Sequence, residues 1–165
     1  MNIESLYGTQ AKVDDKIAEK LEGGKDFFSS YESIQHRQFA FRVEVMELAN
    51  EIGFFKDWKH SHTIKVDAAL EELADCMAFL LSTGLSLGYD RVVKEVEPFE
   101  MWADYPYEDL FDMLCDISLS NVGKFTLAFK LILGIGLKLG ASETAIMYAY
   151  VNKSAANIDR QDKGY

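Results

Sequence analysis

Proline and cysteine are both scarce in this sequence. Among its 165 residues, only Pro98 and Pro106 are prolines, and both fall in one segment. Because proline interrupts helices, its absence elsewhere favours long helices. The two cysteines, Cys76 and Cys115, lie within apolar helical patterns, so we expect buried, reduced thiols and no disulfide framework. This cysteine usage is typical of a cytoplasmic protein.

Basic clusters and long apolar runs are missing as well. The chain has 17 Lys and Arg residues against 27 Asp and Glu, which gives a formal net charge of −10. Without a basic face we expect no nucleic acid partner, although metal ions can join an acidic protein to an anionic nucleotide. No apolar run approaches the roughly 18 uncharged residues of a membrane span, and no signal peptide is recognisable, so we expect no membrane partner. A hydrophobic content of 48% predicts one folded domain over residues 1–165.

Apolar residues recur at helical spacing along most of the chain, and no alternating strand pattern stands out. We therefore predict an all-α fold, a helical bundle. The fourth helix is expected to bend or break near residues 121–123, and Ser142 is expected to cap the last helix. Polar residues 56–63 predict a loop, and residues 89–107 predict an irregular segment. The predicted helices cover about residues 1–22, 28–55, 65–87, 108–139 and 143–157.

Two pairs of acidic residues lie on the second and third predicted helices: Glu44 with Glu47, and Glu72 with Asp75. Residues three positions apart are neighbours on a helix surface, so each pair forms a short acidic stripe, and Glu51 extends the first. The short linker allows the two helices to fold back on each other and bring the stripes together. Converging carboxylates need a neutralising cation, and their hard oxygen atoms suit Mg²⁺ or Mn²⁺. The sequence therefore predicts a divalent-metal site between two helices.

Two other interpretations of these acidic residues are a solvated helix face and a di-iron site. A solvated helix face usually pairs its carboxylates with Lys or Arg three or four positions away, and neither stripe has such a partner. Phe79 continues the line of Glu72 and Asp75 into apolar surface, where carboxylates need partners. A di-iron bundle requires Glu-x-x-His pairs, and none of the histidines provides one. The histidines are His36, His60 and His62.

Three blocks of the sequence carry a family resemblance. Residues 6–14 place Gln10 on the first helix, residues 44–81 hold both acidic stripes with Trp58 in the loop between them, and residues 149–165 include KSAANIDRQDKGY. Together these blocks resemble the all-α nucleoside triphosphate pyrophosphatases, and within that superfamily the dimeric dUTPases. The acidic motif is shared across the superfamily, whereas the closing block is more specific to the dUTPase branch.

The resemblance implies a reaction and a metal. The reaction is the Mg²⁺-dependent hydrolysis of dUTP, and also of dUDP, to dUMP, with pyrophosphate released from dUTP. Glu44, Glu47, Glu72 and Asp75 would hold Mg²⁺, with Mn²⁺ as the alternative, and Glu44 would activate the attacking water. The substrates would be deoxyuridine nucleotides, and the enzyme would be a homodimer.

The resemblance also implies which residues bind the nucleotide. Gln10 would read the uracil edge, because its amide donates and accepts hydrogen bonds at once. Trp58 and Phe79 would cover the base and the deoxyribose. The closing block would bind the remainder, with Lys153 and Arg160 on phosphate oxygens. Its nucleotide-binding residues would be Lys153, Asn157, Arg160 and Tyr165.

The closing block departs from the family pattern at two positions. Ser154 stands where the family usually has Asn, and Ile158 stands where it usually has His. The change at Ser154 affects one nucleotide hydrogen bond that the motif implies. Two alternatives to dUTP hydrolysis stay open: a related pyrophosphatase acting on dCTP or a broader or modified set of nucleotides, and a non-enzymatic helical dimer that binds or regulates. The complete set of four carboxylates argues against the second alternative.

Overall fold

The computed structural model describes residues 1–60 and 63–164, and these ranges fold into helices and loops. Within them the only β feature is an isolated bridge between Asn2 and Glu95. The all-α fold predicted from the sequence is confirmed. Two short 3₁₀ helices, Tyr89–Arg91 and Glu100–Asp104, lie in the segment predicted to be irregular. The α-helices are α1 (Glu4–Ala18), α2 (Gly24–Phe28), α3 (Tyr31–Ile52), α4 (Val66–Ser86), α5 (Tyr107–Asp116), α6 (Val122–Lys138) and α7 (Glu143–Asp162).

The first two predicted helices have different boundaries in the structure. Helix α1 ends at Ala18, about four residues before the predicted end at residue 22, and Gly24 begins the short helix α2. Helix α3 is three residues shorter at each end than the predicted range of 28–55. Gly53 ends it with a left-handed backbone (φ 66°), and its N–H donates to the Ala49 carbonyl at 2.8 Å. A residue with a Cβ would be strained at this turn.

The predicted break in the fourth helix is real and lies slightly earlier, between α5 and α6. Asn121 restarts the helix, because its side chain accepts a hydrogen bond from the Lys124 N–H at 3.0 Å. Ser142 caps α7 in the same way, by accepting from the Ala145 N–H at 3.2 Å. Helix α7 then runs to Asp162, five residues beyond the predicted end. The sequence pattern therefore located the helix starts better than their ends.

Helix α4 lies at the centre of the bundle, in contact with α1, α3, α6 and α7. Its residues Leu73, Cys76 and Leu80 are fully buried, as the apolar periodicity predicts. Helix α6 approaches α7 closely at Gly136, where an added Cβ would lie 2.5 Å from Ile146 Cδ1. A larger residue there would push the two helices apart. Helix α4, which carries the second acidic stripe, thus contacts both α3 and α7.

The two cysteines have different surroundings. Both are free thiols, but only Cys76 is buried, so the expectation of a buried Cys115 was wrong. Helix α5 buries Leu110, Phe111 and Leu114, and Cys115 lies one position past that apolar face. One position is a rotation of about 100° around a helix, which turns its side chain to the edge of the contact with α3.

The hydropathy of the helices was tested against the requirements of a membrane span. In the described part of the chain no single helix is both long and apolar enough to cross a membrane. Helices α6 and α7 pass by length and composition only when taken together, and they meet at a 110° bend.

Candidate functional site

Three of the predicted metal ligands meet between α3 and α4. One carboxylate oxygen from each of Glu44, Glu72 and Asp75 lies within 4.8 Å of the other two, and all three side chains are partly buried. Glu47 is outside this group of three but close enough for its charge to raise the pKa of Glu44 and of Asp75. The helix pairing predicted from the linker length therefore brings the two acidic stripes together.

The electrostatics of this acidic cluster are unfavourable in the protein alone. Burial, and then the charges of Asp75, Glu47 and Glu72, raise the pKa of Glu44 to about 7. Burial is also the main reason that the pKa values of Glu72 and Asp75 are raised. Carboxylates held together in this way favour any cation that can lie between them.

One cation already lies against the cluster, and it comes from α7. The Lys153 ammonium is 2.5 Å from Asp75 Oδ2, and less than a fifth of either side chain is exposed. Lys153 was predicted to contact phosphate, and the structure places it within reach of both the acidic cluster and the neighbouring cavity described below. The pair neutralises part of the negative charge and ties α7 to α4.

A cavity of about 320 Å³ begins at the acidic cluster and extends between α1, α3 and α4. Four predicted site residues line it: Gln10, Asp75, Phe79 and Asn157. The cavity is mostly apolar, with Phe79 partly buried against the core. A site with a large apolar surface and a few converging polar groups is typical of a pocket for a small organic ligand.

Gln10 is held by hydrogen bonds at both ends of its amide. Its Nε2 donates to Asp14 Oδ1 at 2.8 Å, and the Tyr150 hydroxyl donates to its Oε1 at 2.9 Å. All three side chains are buried. Burial raises the pKa of Asp14 to about 6, against the opposing effects of its hydrogen bond with Gln10 and the positive charge of Arg37. The amide is therefore fixed in place before any ligand binds.

Arg37 is a buried cation at this cavity that the sequence motifs do not single out. Its guanidinium donates to the Phe28 carbonyl at 2.9 Å, to Ser33 Oγ at 2.8 Å and to Ser86 Oγ at 2.6 Å. It also lies 4.0 Å above the Phe28 ring. A signal was available, because Arg37 falls on the same helical face as Ile34 and Phe41, which are apolar and buried.

A second cavity, of about 460 Å³, lies on the other side of Lys153 between α4 and α7. Lys153 and Arg160 supply its positive charge, and Asp67 and Glu71 supply negative charge. Arg160 is exposed, and its charge lowers the pKa of Asp75, so it acts on the acidic cluster from a distance. The two cations predicted to contact phosphate thus lie together, beside the acidic cluster.

Among the predicted nucleotide-binding residues that the structure describes, Trp58 lines neither cavity. Trp58 is 70% exposed in its loop, with its ring centroid 6.2 Å from that of Phe55. Tyr165 lies outside the described residues, as does His62, which was considered and set aside as a ligand. The described site is therefore built by α1, α3, α4 and α7.

The chain was compared with known proteins. A family model described as dUTPase matches residues 2–165. No curated protein is significantly similar to the chain. The matched region includes the acidic cluster on α3 and α4, the buried glutamine on α1 and the cations on α7.

Proposed function

Because the chain belongs to the dUTPase family and is a dUTP diphosphatase, we propose that it hydrolyses dUTP to dUMP and pyrophosphate. We further propose that this reaction depends on Mg²⁺ and that the enzyme also accepts dUDP. The observation that carries the proposal is the position of the acidic cluster at the edge of the cavity lined by Gln10. Residues 1–165 would act as one catalytic domain.

The carboxylates fit a divalent ion by donor type and by spacing. Mg–O bonds of about 2.1 Å place ligand oxygens roughly 3–4 Å apart, so oxygens within 4.8 Å of one another need only small side-chain adjustments. Burial and the neighbouring carboxylates raise the pKa of Glu44, so a cation at the cluster would stabilise its ionised form. We assign Glu44, Glu47, Glu72 and Asp75 as the ligands, with Mn²⁺ as the alternative metal.

The chemistry follows from charge. A divalent cation bound at the cluster would neutralise phosphate charge and lower the pKa of a bound water. The chain's own residues would orient the reactants. Glu44 would accept the proton of the attacking water on its carboxylate, while Lys153 and Arg160 would contact phosphate oxygens from the second cavity. Lys153 would then share its ammonium between Asp75 and the substrate.

The 320 Å³ cavity would hold the nucleoside. Gln10 would pair with the uracil edge, and Phe79 and Asn157 would line the rest of the nucleoside site. Trp58 lines neither cavity, so a contact with the base would require its loop to close over the opening. Tyr165 belongs to the proposal through the family motif alone. Because the thiols of Cys76 and Cys115 are both free, we also propose a cytoplasmic setting.

The proposal includes a homodimer. Phe39, Val43 and Met46 follow one another at helical spacing on α3, and all three are exposed. An exposed apolar row of this kind favours burial against a second copy of the chain. It lies on the helix that carries Glu44 and Glu47, so the interface would stabilise the ligand-bearing helix.

A nucleotide panel tests the function. Purified protein is incubated with dUTP, dUDP, dCTP and dTTP, with Mg²⁺ or with EDTA, and the released pyrophosphate and phosphate are measured. We expect pyrophosphate from dUTP and phosphate from dUDP, both only with Mg²⁺. Glu72→Gln should abolish turnover, whereas Glu32→Gln, a matched change at an exposed position on α3, should not. Hydrolysis of dUTP in EDTA, or equal hydrolysis of dCTP, would contradict the proposal.

A further inference from the structure

A uracil-reading amide has to be held in one of two orientations. A glutamine side chain presents an oxygen that accepts and a nitrogen that donates, and a rotation of 180° about its last bond exchanges them. Uracil offers a donor at N3 and an acceptor at O4, whereas cytosine offers an acceptor at N3 and a donor at N4. A glutamine that is free to rotate therefore pairs with either base, in opposite orientations.

We propose that Asp14 and Tyr150 are specificity-determining residues that fix the Gln10 amide in the orientation that reads uracil and rejects cytosine. This inference rests on the proposed dUTP hydrolysis. Both are positioning residues, because they act on the base through Gln10.

The hydrogen-bond chain runs in one direction. The Tyr150 hydroxyl donates to Gln10 Oε1 at 2.9 Å and also lies 3.3 Å from the Leu6 carbonyl. Gln10 Nε2 in turn donates to Asp14 Oδ1 at 2.8 Å. Each amide atom of Gln10 thus uses one hydrogen-bonding site inside the protein. One N–H and one oxygen lone pair are left, which is the pair that uracil requires.

Asp14 supplies the stronger part of the constraint. An ionised carboxylate only accepts hydrogen bonds, so a rotated amide would point its oxygen at negative charge. Asp14 is ionised at neutral pH, above its pKa of about 6, and the Arg37 guanidinium favours that state against burial and the charge of Asp15. Asp14 is largely buried, so few water molecules can reach the mismatched pair and relieve it.

Tyr150 supplies the second part. Its hydroxyl has one hydrogen and two acceptors within reach, Gln10 Oε1 at 2.9 Å and the Leu6 carbonyl at 3.3 Å, and the contact with Gln10 is the shorter. A rotated amide would present an N–H group in place of Oε1, so the hydroxyl would lose its shorter hydrogen bond and would have to turn to the Leu6 carbonyl. Ser154 lies four residues after Tyr150 on α7 and is also buried.

Two isosteric variants test the inference. Asp14→Asn allows either amide orientation, because its side chain both donates and accepts, and Tyr150→Phe removes the hydroxyl while keeping the ring. We measure kcat/KM for dUTP and dCTP, and the affinity for dUMP and dCMP by calorimetry. We expect Asp14→Asn to raise kcat/KM for dCTP at least tenfold, about 1.4 kcal/mol, while kcat/KM for dUTP changes only severalfold. Tyr150→Phe should change the same ratio in the same direction by a smaller factor.

Matched controls separate specificity from damage to the fold. Asp15→Asn removes the same charge at an exposed neighbouring position, where the side chain pairs with Lys25. Tyr7→Phe removes the hydroxyl of another buried tyrosine, whose oxygen has no hydrogen-bond partner in the described structure. Both controls should keep the wild-type ratio. A purely structural role for Asp14 would lower both activities and leave the ratio unchanged.

The outcomes are distinguishable. If the wild-type protein discriminates between dUTP and dCTP and both variants keep that ratio in kinetics and in binding, the inference is overturned and the proposed function stands. If the wild-type protein hydrolyses both nucleotides equally, the proposed function fails and the inference fails with it. If Asp14→Asn does not fold, Tyr150→Phe decides, and an unchanged ratio in that variant overturns the inference.

Discussion

Replacing Asp14 by Asn should stabilise the protein more at neutral pH than at acid pH. Burial raises the pKa of Asp14 from 3.8 to about 6 in the folded state. A raised acid pKa means that the folded state binds the proton more tightly, so the contribution is favourable below about pH 4 and is lost as the pH rises through 6. A shift of about 2 units corresponds to about 3 kcal/mol of unfolding free energy lost across that window.

The measurement is urea unfolding of the wild-type protein and Asp14→Asn at pH 4, 5, 6, 7 and 8 in EDTA. Asn keeps a side-chain oxygen that accepts from Gln10, so the comparison isolates the titration of the carboxylate. We expect the free energy of unfolding of the variant, relative to wild type, to rise by about 3 kcal/mol between pH 4 and pH 7. The other acidic groups titrate in both proteins and cancel in the difference.

The control for this prediction is Asp15→Asn, which changes net charge equally at an exposed position. If the difference between Asp14→Asn and wild type stays constant within about 0.5 kcal/mol from pH 4 to pH 7, Asp14 does not carry the raised pKa and the reasoning is refuted. A difference that falls as the pH rises would mean that the ionised form is the one stabilised by folding. Either result would mean that burial does not destabilise the ionised carboxylate of Asp14.

Three further predictions concern the rest of the site. Glu47→Gln should reduce turnover at least tenfold, because it removes a proposed metal ligand, and normal turnover would exclude Glu47 as a ligand. The melting temperature in EDTA should not fall, because the change removes one negative charge from a cluster of mutually repelling carboxylates. Arg160→Ala should lower kcat/KM for dUTP at least tenfold, about 1.4 kcal/mol, because a charge-assisted contact with phosphate is lost. Arg91→Ala, at an exposed position, should leave kcat/KM unchanged, and an equal loss in both variants would mean that the change in net charge causes it. Met46→Glu should shift the protein to a monomer in light-scattering measurements, and an unchanged mass would place the dimer contact elsewhere.

The fold was predictable because helical periodicity and caps are local signals. Phe41, Val45 and Leu48 recur at helical spacing and are all buried, and Ser142 caps α7 as expected. The helix ends were predicted less well, because a helix continues past its apolar pattern when polar residues still favour it. Residues 158–162 of α7 are an example, since they form helix without a buried apolar face.

The acidic half of the site was also predictable, since spacing places Glu44, Glu72 and Asp75 on helices joined by a short loop. The buried polar half was not. Asp14 and Tyr150 are 136 positions apart in sequence and are linked only through Gln10, so no local pattern connects them. For Arg37, spacing indicates the buried position on α3 but not the hydrogen-bond partners, which come from α2, α3 and α4. Such contacts depend on packing, which sequence spacing does not encode.

The hydrogen bond between Tyr150 and Gln10 joins residues 140 positions apart, and this separation has a consequence for synthesis on the ribosome. Translation proceeds at about 5–20 residues per second, so α7 would be synthesised roughly 7–28 s after α1. During that interval α3 and α4 are free to pair and gather their carboxylates, while the Gln10 amide still lacks Tyr150. The proposed metal-binding half of the enzyme can therefore form on the nascent chain, whereas the proposed base selection has to wait for α7.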